Sequence, residues 1–213
     1  MLTAVKAQQM AVTAQQMTVT AEPPVTPMRT MSADRALNDF AAELRSAGQA
    51  PQAEFLLAAG PAALSKTADP DHFTASCVVF DLAADDRRVL LQQHRKTGKW
   101  MQFGGHVEAH DDSFAAAAAR ELSEEAGLCS WRWFSPMPVS VTSYTLSAQH
   151  DRCTRHRDVL FAADASETES VSVSPESHAL GWFSLDALPD QLMPDLTDRL
   201  PKLWDAALQL AQR

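Results

Sequence analysis

The sequence predicts an α/β fold: an α/β/α sandwich built on a mixed sheet, with a helical extension in front of it. Three observations carry this. Strand-like runs recur between residues 73 and 183, a helical pattern interrupts them at 113–126, and an amphipathic helix closes the chain. The 213 residues suffice for one ordinary domain with extensions. Apolar residues at 46% and charged residues at 21% exclude a fully disordered or fibrous chain.

Residues 1–31 read as a disordered, low-complexity extension. A seven-residue near-duplication, Ala7-Gln-Gln-Met-Ala-Val-Thr13 and Ala14-Gln-Gln-Met-Thr-Val-Thr20, is too short for a coiled coil, and prolines follow it. Met10, Met17, Met28 and Met31 are alternative starts. Residues 32–66 form the helical extension. Ser32 can cap a helix with Leu37, Phe40, Ala41 and Leu44 on one face, ending near Gly48, and a second helix spans about 51–59. This segment would cap the sandwich, cover a pocket or make a dimer contact.

The main domain, 67–213, opens with strands at 74–81 and 87–94 joined by a turn at 83–86. A Gly-Gly turn at 104–105 precedes the helix at about 113–126, which Gly127 closes by taking the left-handed position. Further strands are expected at 130–134, 139–146, 158–163 and 180–183. The last helix, 200–211, places Leu203, Trp204, Ala207, Leu208 and Ala211 on one face, with Pro201 tolerated in its first turn.

Charge and cysteine usage narrow the function classes. The net charge is −9, and residues 32–213 hold 16 basic and 26 acidic residues, a net −10. Direct nucleic-acid binding is therefore not expected, because it rests on a basic footprint. A polyanionic ligand would need bound cations. Cys77, Cys129 and Cys153 are few, odd in number and far apart, which suits a reducing compartment. No run approaches a membrane span and no signal peptide is visible, so the expectation is a cytoplasmic protein.

The chemistry concentrates in Arg120-Glu-Leu-Ser-Glu-Glu-Ala-Gly-Leu128. At ~100° per residue Glu121, Glu124 and Glu125 fall within one third of the helix circumference. Ala115, Ala118, Ala119, Leu122 and Ala126 form the neighbouring stripe that docks on the sheet. Three carboxylates this close repel unless a cation lies between them, and hard divalent ions take such oxygens together with substrate phosphates. Arg120, one turn before Glu124, can orient a carboxylate.

With the upstream Gly104-Gly105-His-Val-Glu108, this run resembles the Nudix box. The second half matches at every defined position. The first departs: one residue is inserted at Asp111–Asp112, Asp replaces Glu, and His110 stands where a Gly is common. Lys99-Trp-Met-Gln-Phe-Gly-Gly-His106 with Arg155-His-Arg-Asp158 is similar to a bacterial subgroup with a later His-x-Asp. The resemblance implies a Nudix-like fold and a Nudix-type pyrophosphohydrolase. Its reaction is hydrolysis of a nucleoside diphosphate linked to another moiety, by water attacking phosphorus with Mg²⁺ or Mn²⁺ bridging enzyme and diphosphate.

Glu121, Glu124, Glu125 and the Gly105 carbonyl are then the metal ligands. The catalytic set is Glu124, Glu125, Arg120 and a base from a later loop, for which Glu176 has a similar spacing. The expected substrate contacts are Arg95, Lys96 and Lys99 for phosphate, and Trp100, Phe103 or Tyr144 for a base. His156, beside Asp158, has a pocket role by analogy to the subgroup. Two alternatives stand beside this reading: a catalytically weak nucleotide-binding or sensor module, suggested by the altered acidic position and the inserted residue, and diphosphate isomerisation, which the fold also hosts. The latter would need a pocket cysteine, and Cys77 lies on an expected buried strand. His150-x-x-Cys153-x-x-His156 has metal-like spacing but lacks a fourth ligand in sequence, so no zinc site is expected there.

Overall fold

The computed structural model describes residues 33–146 and 153–211. The duplicated segment, the alternative start methionines, the disorder expected over 1–31 and the Ser32 cap lie outside these residues, as does His150.

Helices α1 (Ala33–Ser46) and α2 (Ala50–Ala59) lead through a 3-10 turn (Gly60–Leu64) into β1 (Asp71–Asp81). There follow β2 (Arg88–His94), β3 (Trp100–Met101), β4 (Phe103–His106), α3 (Phe114–Ala126), β5 (Arg132–Trp133), β6 (Ser140–Thr145), β7 (Arg155–Asp164), β8 (Ser177–Ser184) and α4 (Leu196–Ala211). The strands form one mixed sheet. Its centre is the long parallel pair β1–β7, with His72 opposite His156 and Phe80 opposite Asp164. On its other edge β1 pairs antiparallel with β4 and then with β2. Strands β5 and β6 pair with β7, and β8 pairs with β2.

Strand β1 is buried along almost its whole length, as expected for a strand covered on both faces. Side-chain alternation divides the core. Phe73, Ala75, Cys77 and Val79 face α1, α2 and α3, where Phe40, Leu44, Leu56, Phe114 and Leu122 are buried. Val78 and Phe80 face α4, packed with Leu200, Leu203, Trp204 and Ala207. Phe40, Phe73 and Phe114 meet at 4.7 and 5.2 Å between ring centroids, joining α1 to the sheet through α3.

Two expectations are corrected. Gly104 and Gly105 lie inside β4, paired with Ser76 and Ala75, because register with β1 draws this segment into the sheet. The last helix begins at Leu196, so Pro201 falls in its interior, where it removes one backbone donor. No helix among the described residues is long and apolar enough to cross a membrane.

Candidate active site

The site is built where the end of β4 crosses α3. The Ser113 hydroxyl caps α3 by accepting the Ala116 amide at 2.9 Å, and Gly127 ends it at φ 62°. A second cap comes from α1: the Glu43 carboxylate accepts the Phe114 and Ala115 amides at 2.8 and 3.1 Å. A carboxylate at a helix N-terminus also complements the helix dipole. The helix that carries the glutamates is therefore held at its start by a residue 71 positions upstream.

Its carboxylates face three environments. Glu125 is buried, and Oε2 accepts the Gly104 amide at 2.8 Å. Burial, opposed by hydrogen bonds from Gln92 and Gly104, pushes its pKa up to about 7. Glu121 is also raised, chiefly by burial, against its contact with Arg120. Glu124 is largely exposed at the rim. The charge of Glu176 is among the smaller causes that raise both Glu121 and Glu125.

The two glycines are required by close approach. A Cβ at Gly105 would overlap the Glu121 carboxylate, and one at Gly104, whose φ is +146°, would lie 2.5 Å from Ser76 Oγ and 2.6 Å from its Cα. Arg120 ties the parts together. Its Nε and Nη2 donate to the two oxygens of Asp111 at 3.1 and 3.0 Å, Nη2 also donates to the His106 carbonyl, and Nη1 reaches Glu121 and Glu124. Asp111 Oδ2 accepts the Glu108 amide at 2.8 Å, closing the loop that contains the inserted residue. Asp111 is thus the acidic partner of the box arginine and Asp112 is exposed, a choice that the spacing left open.

The expected substrate contacts divide. Phe103 is fully buried in the core, because alternation along β4 turns it toward α3, so it cannot stack on a ligand base. Arg95 donates to the Pro175 and Ser177 carbonyls at 2.8 Å each, and its amide donates to the Glu176 carbonyl. Its guanidinium holds the Glu176 loop rather than reaching for phosphate. Trp100 packs edge-on against Phe183 at 4.8 Å, and Lys99 is half-buried in the turn before it. Tyr144 hydrogen-bonds Arg199. Lys96 is exposed. Cys77 is fully buried with its thiol pushed well up by burial, which removes the isomerase reading its cysteine.

His156 does not join the glutamates. It lies on the other face of the sheet, in a polar stripe with His72, Thr74, Ser76, His106 and Asp158. Asp158 is buried and accepts the Thr74 and Ser76 hydroxyls at 3.0 and 2.6 Å. Burial, with neighbouring His156, Lys66 and His72 charges, draws the His106 pKa down to about 3. The alternating Thr74-Ala-Ser76 in an apolar strand is the sequence signal for this stripe. Glu43 has no local signal, because its target is far along the chain.

The donor set near α3 suits a hard divalent ion. Clustered carboxylate oxygens, a backbone segment without side chains and a buried carboxyl held above its ordinary pKa are features that a divalent cation would satisfy. A family model described as NUDIX domain matches residues 71–203. A NUDIX-family hydrolase from Clostridium perfringens has a similar fold at 24% identity and a TM-score of 0.51, over 63% of this chain and 96% of that one. An Ap4A hydrolase from C. elegans is similar at 19% identity and a TM-score of 0.50, over 64% and 97%. No curated protein matches the sequence.

Proposed function

The chain belongs to the Nudix family of pyrophosphohydrolases, and from that premise we propose that it hydrolyses the diphosphate bond of a nucleoside diphosphate linked to another moiety, with Mg²⁺ or Mn²⁺ as cofactor. The observation that carries this reading is the convergence of Glu121 and Glu125 on the Gly104–Gly105 backbone, with Arg120 bridging Glu121, Glu124 and Asp111. Glu121, Glu124, Glu125 and the Gly105 carbonyl would hold the metal, which when bound neutralises diphosphate charge, polarises phosphorus and acidifies a bound water.

The chain's own residues do the rest. Arg120 positions the rim carboxylates and the loop before the helix. Glu176, from the loop that Arg95 holds, takes the proton of the attacking water. Lys99 and Trp100, at the mouth of the β2–β3 turn, contact the substrate. The sensor alternative rests on the altered acidic position and the inserted residue, and the bidentate Arg120–Asp111 pair argues against it, since Asp111 engages the box arginine and the helix keeps its carboxylates.

The test is a panel of ADP-ribose, NADH, dinucleoside polyphosphates, CoA and nucleoside triphosphates, assayed with each metal for release of a nucleoside monophosphate. At least one should turn over. Glu125→Gln should lower its kcat by on the order of 10²-fold or more, the loss of several kcal/mol of charge stabilisation. Tight ligand binding without turnover under either metal would favour the sensor module.

A further inference from the structure

The geometry points to a second metal site, for Zn²⁺, formed by His72, His106, Cys153 and His156 on the sheet face away from α3. One ligand atom from each of these residues lies within 4.8 Å of all the others. Three adjacent strands assemble them: β1 sets His72 opposite His156 on β7 and Thr74 opposite His106 on β4. The Thr154 and Arg155 amides donate to the Pro70 carbonyl, which brings Cys153 beside the start of β1.

The polar accounting points to a ligand. His72 is completely buried, and its Nδ1 lies 2.6 Å from the Asp69 carbonyl oxygen. A carbonyl only accepts, so Nδ1 carries the proton and Nε2 is left with a lone pair. Among the described residues that buried Nε2 has no hydrogen-bond partner, and neither has the buried Nε2 of His106. Leaving such groups unsatisfied is costly and uncommon in a folded interior. Histidines that bind metal through Nε2 typically donate Nδ1–H to a carbonyl in this way, which fixes the tautomer and the ring.

The donor set identifies the ion. Three imidazoles and a thiolate suit Zn²⁺, whereas the oxygen ligands at α3 suit Mg²⁺ or Mn²⁺. Tetrahedral coordination at ordinary zinc bond lengths would place the ligand atoms ~3.3–3.6 Å apart, so closing the cluster takes shifts of about 1 Å. Cys153 binds as thiolate, its proton leaving to solvent. All four positions are then filled by protein, as in a structural site. Its effect reaches the other face through His106, which follows Gly105 and whose carbonyl accepts from Arg120. Zinc would tie β4 to β1 and β7 and so fix the backbone against which Glu121 and Glu125 are set.

The test uses the full chain, stripped with chelator, reloaded with Zn²⁺ or Co²⁺ and desalted. About one ion per chain should be retained, and the Co²⁺ form should show an intense tetrahedral visible spectrum with a thiolate charge-transfer band. Cys153→Ser should abolish that band and weaken retention by ~100-fold or more, since even an outer-shell loss costs 10- to 100-fold. Cys129→Ser and Glu125→Gln should leave both unchanged, which separates this site from the carboxylate site. Failure of the wild-type chain to retain metal, an octahedral Co²⁺ spectrum, or a thiolate band that survives Cys153→Ser would overturn the assignment. Because the wild-type spectrum decides by itself, a variant that fails to fold leaves the test intact.

Discussion

Glu125 is the residue whose chemistry depends most on its surroundings. Its carboxyl is ordinary in sequence, yet burial, outweighing the hydrogen bonds from Gln92 and the Gly104 amide, lifts its pKa from about 4.5 to about 7. A raised carboxyl pKa means the folded, metal-free chain holds this proton where the unfolded chain has released it. That contribution to stability is full below about 4.5 and is lost as pH rises through about 7. Cation binding needs the ionised form, so Mg²⁺ affinity should rise with pH through the same window. Titration calorimetry at pH 7 in buffers of different ionisation enthalpy should detect about half a proton released per metal bound, fading at higher pH. Equal heats in all buffers would contradict this.

At the scale of elements, α3 is held at its N-terminus by two carboxyl–amide bonds from α1 and by its own Ser113. Glu43→Ala leaves both bonded amides without that partner. By analogy with N-cap losses it should cost about 1–2 kcal/mol, read as a lowered midpoint in urea, and it should also reduce turnover because the glutamates ride on this helix. Unchanged stability would mean Ser113 suffices. Strand β4 shows the limit of reading elements locally. Its four residues include two glycines, which weaken any strand signal, and it forms only because β1 supplies the pairing edge.

On the scale of the molecule, the segment before the sheet is part of the core. Phe40, Leu44 and Leu56 are buried at 1%, 0% and 0% exposure in the same cluster as Phe73 and Phe114. Leu44→Ala should therefore destabilise the entire chain by about 2–5 kcal/mol, with one cooperative unfolding transition; a separate early transition would mean that the helical segment folds apart from the sheet. The negative balance also acquires a location, since part of it lies in Glu121, Glu124 and Glu125 around a cation site.

Much was legible from residue order because it depends on local rules. Period 3.6 in 113–126, the Gly127 stop and the spacing of three glutamates determine an acidic helix face wherever the helix docks, and the apolar runs determine the main strands. Only the tertiary structure decided which of Asp111 and Asp112 meets Arg120, that Phe103 points into the core, that Arg95 holds a loop, and that Cys153 and His156 meet His72 and His106. The physical reason differs in range: Asp111 is chosen by how the loop before α3 closes on Glu108 and Arg120, whereas the other three are settled by strand register and by pairing between segments tens of residues apart, which no local pattern encodes.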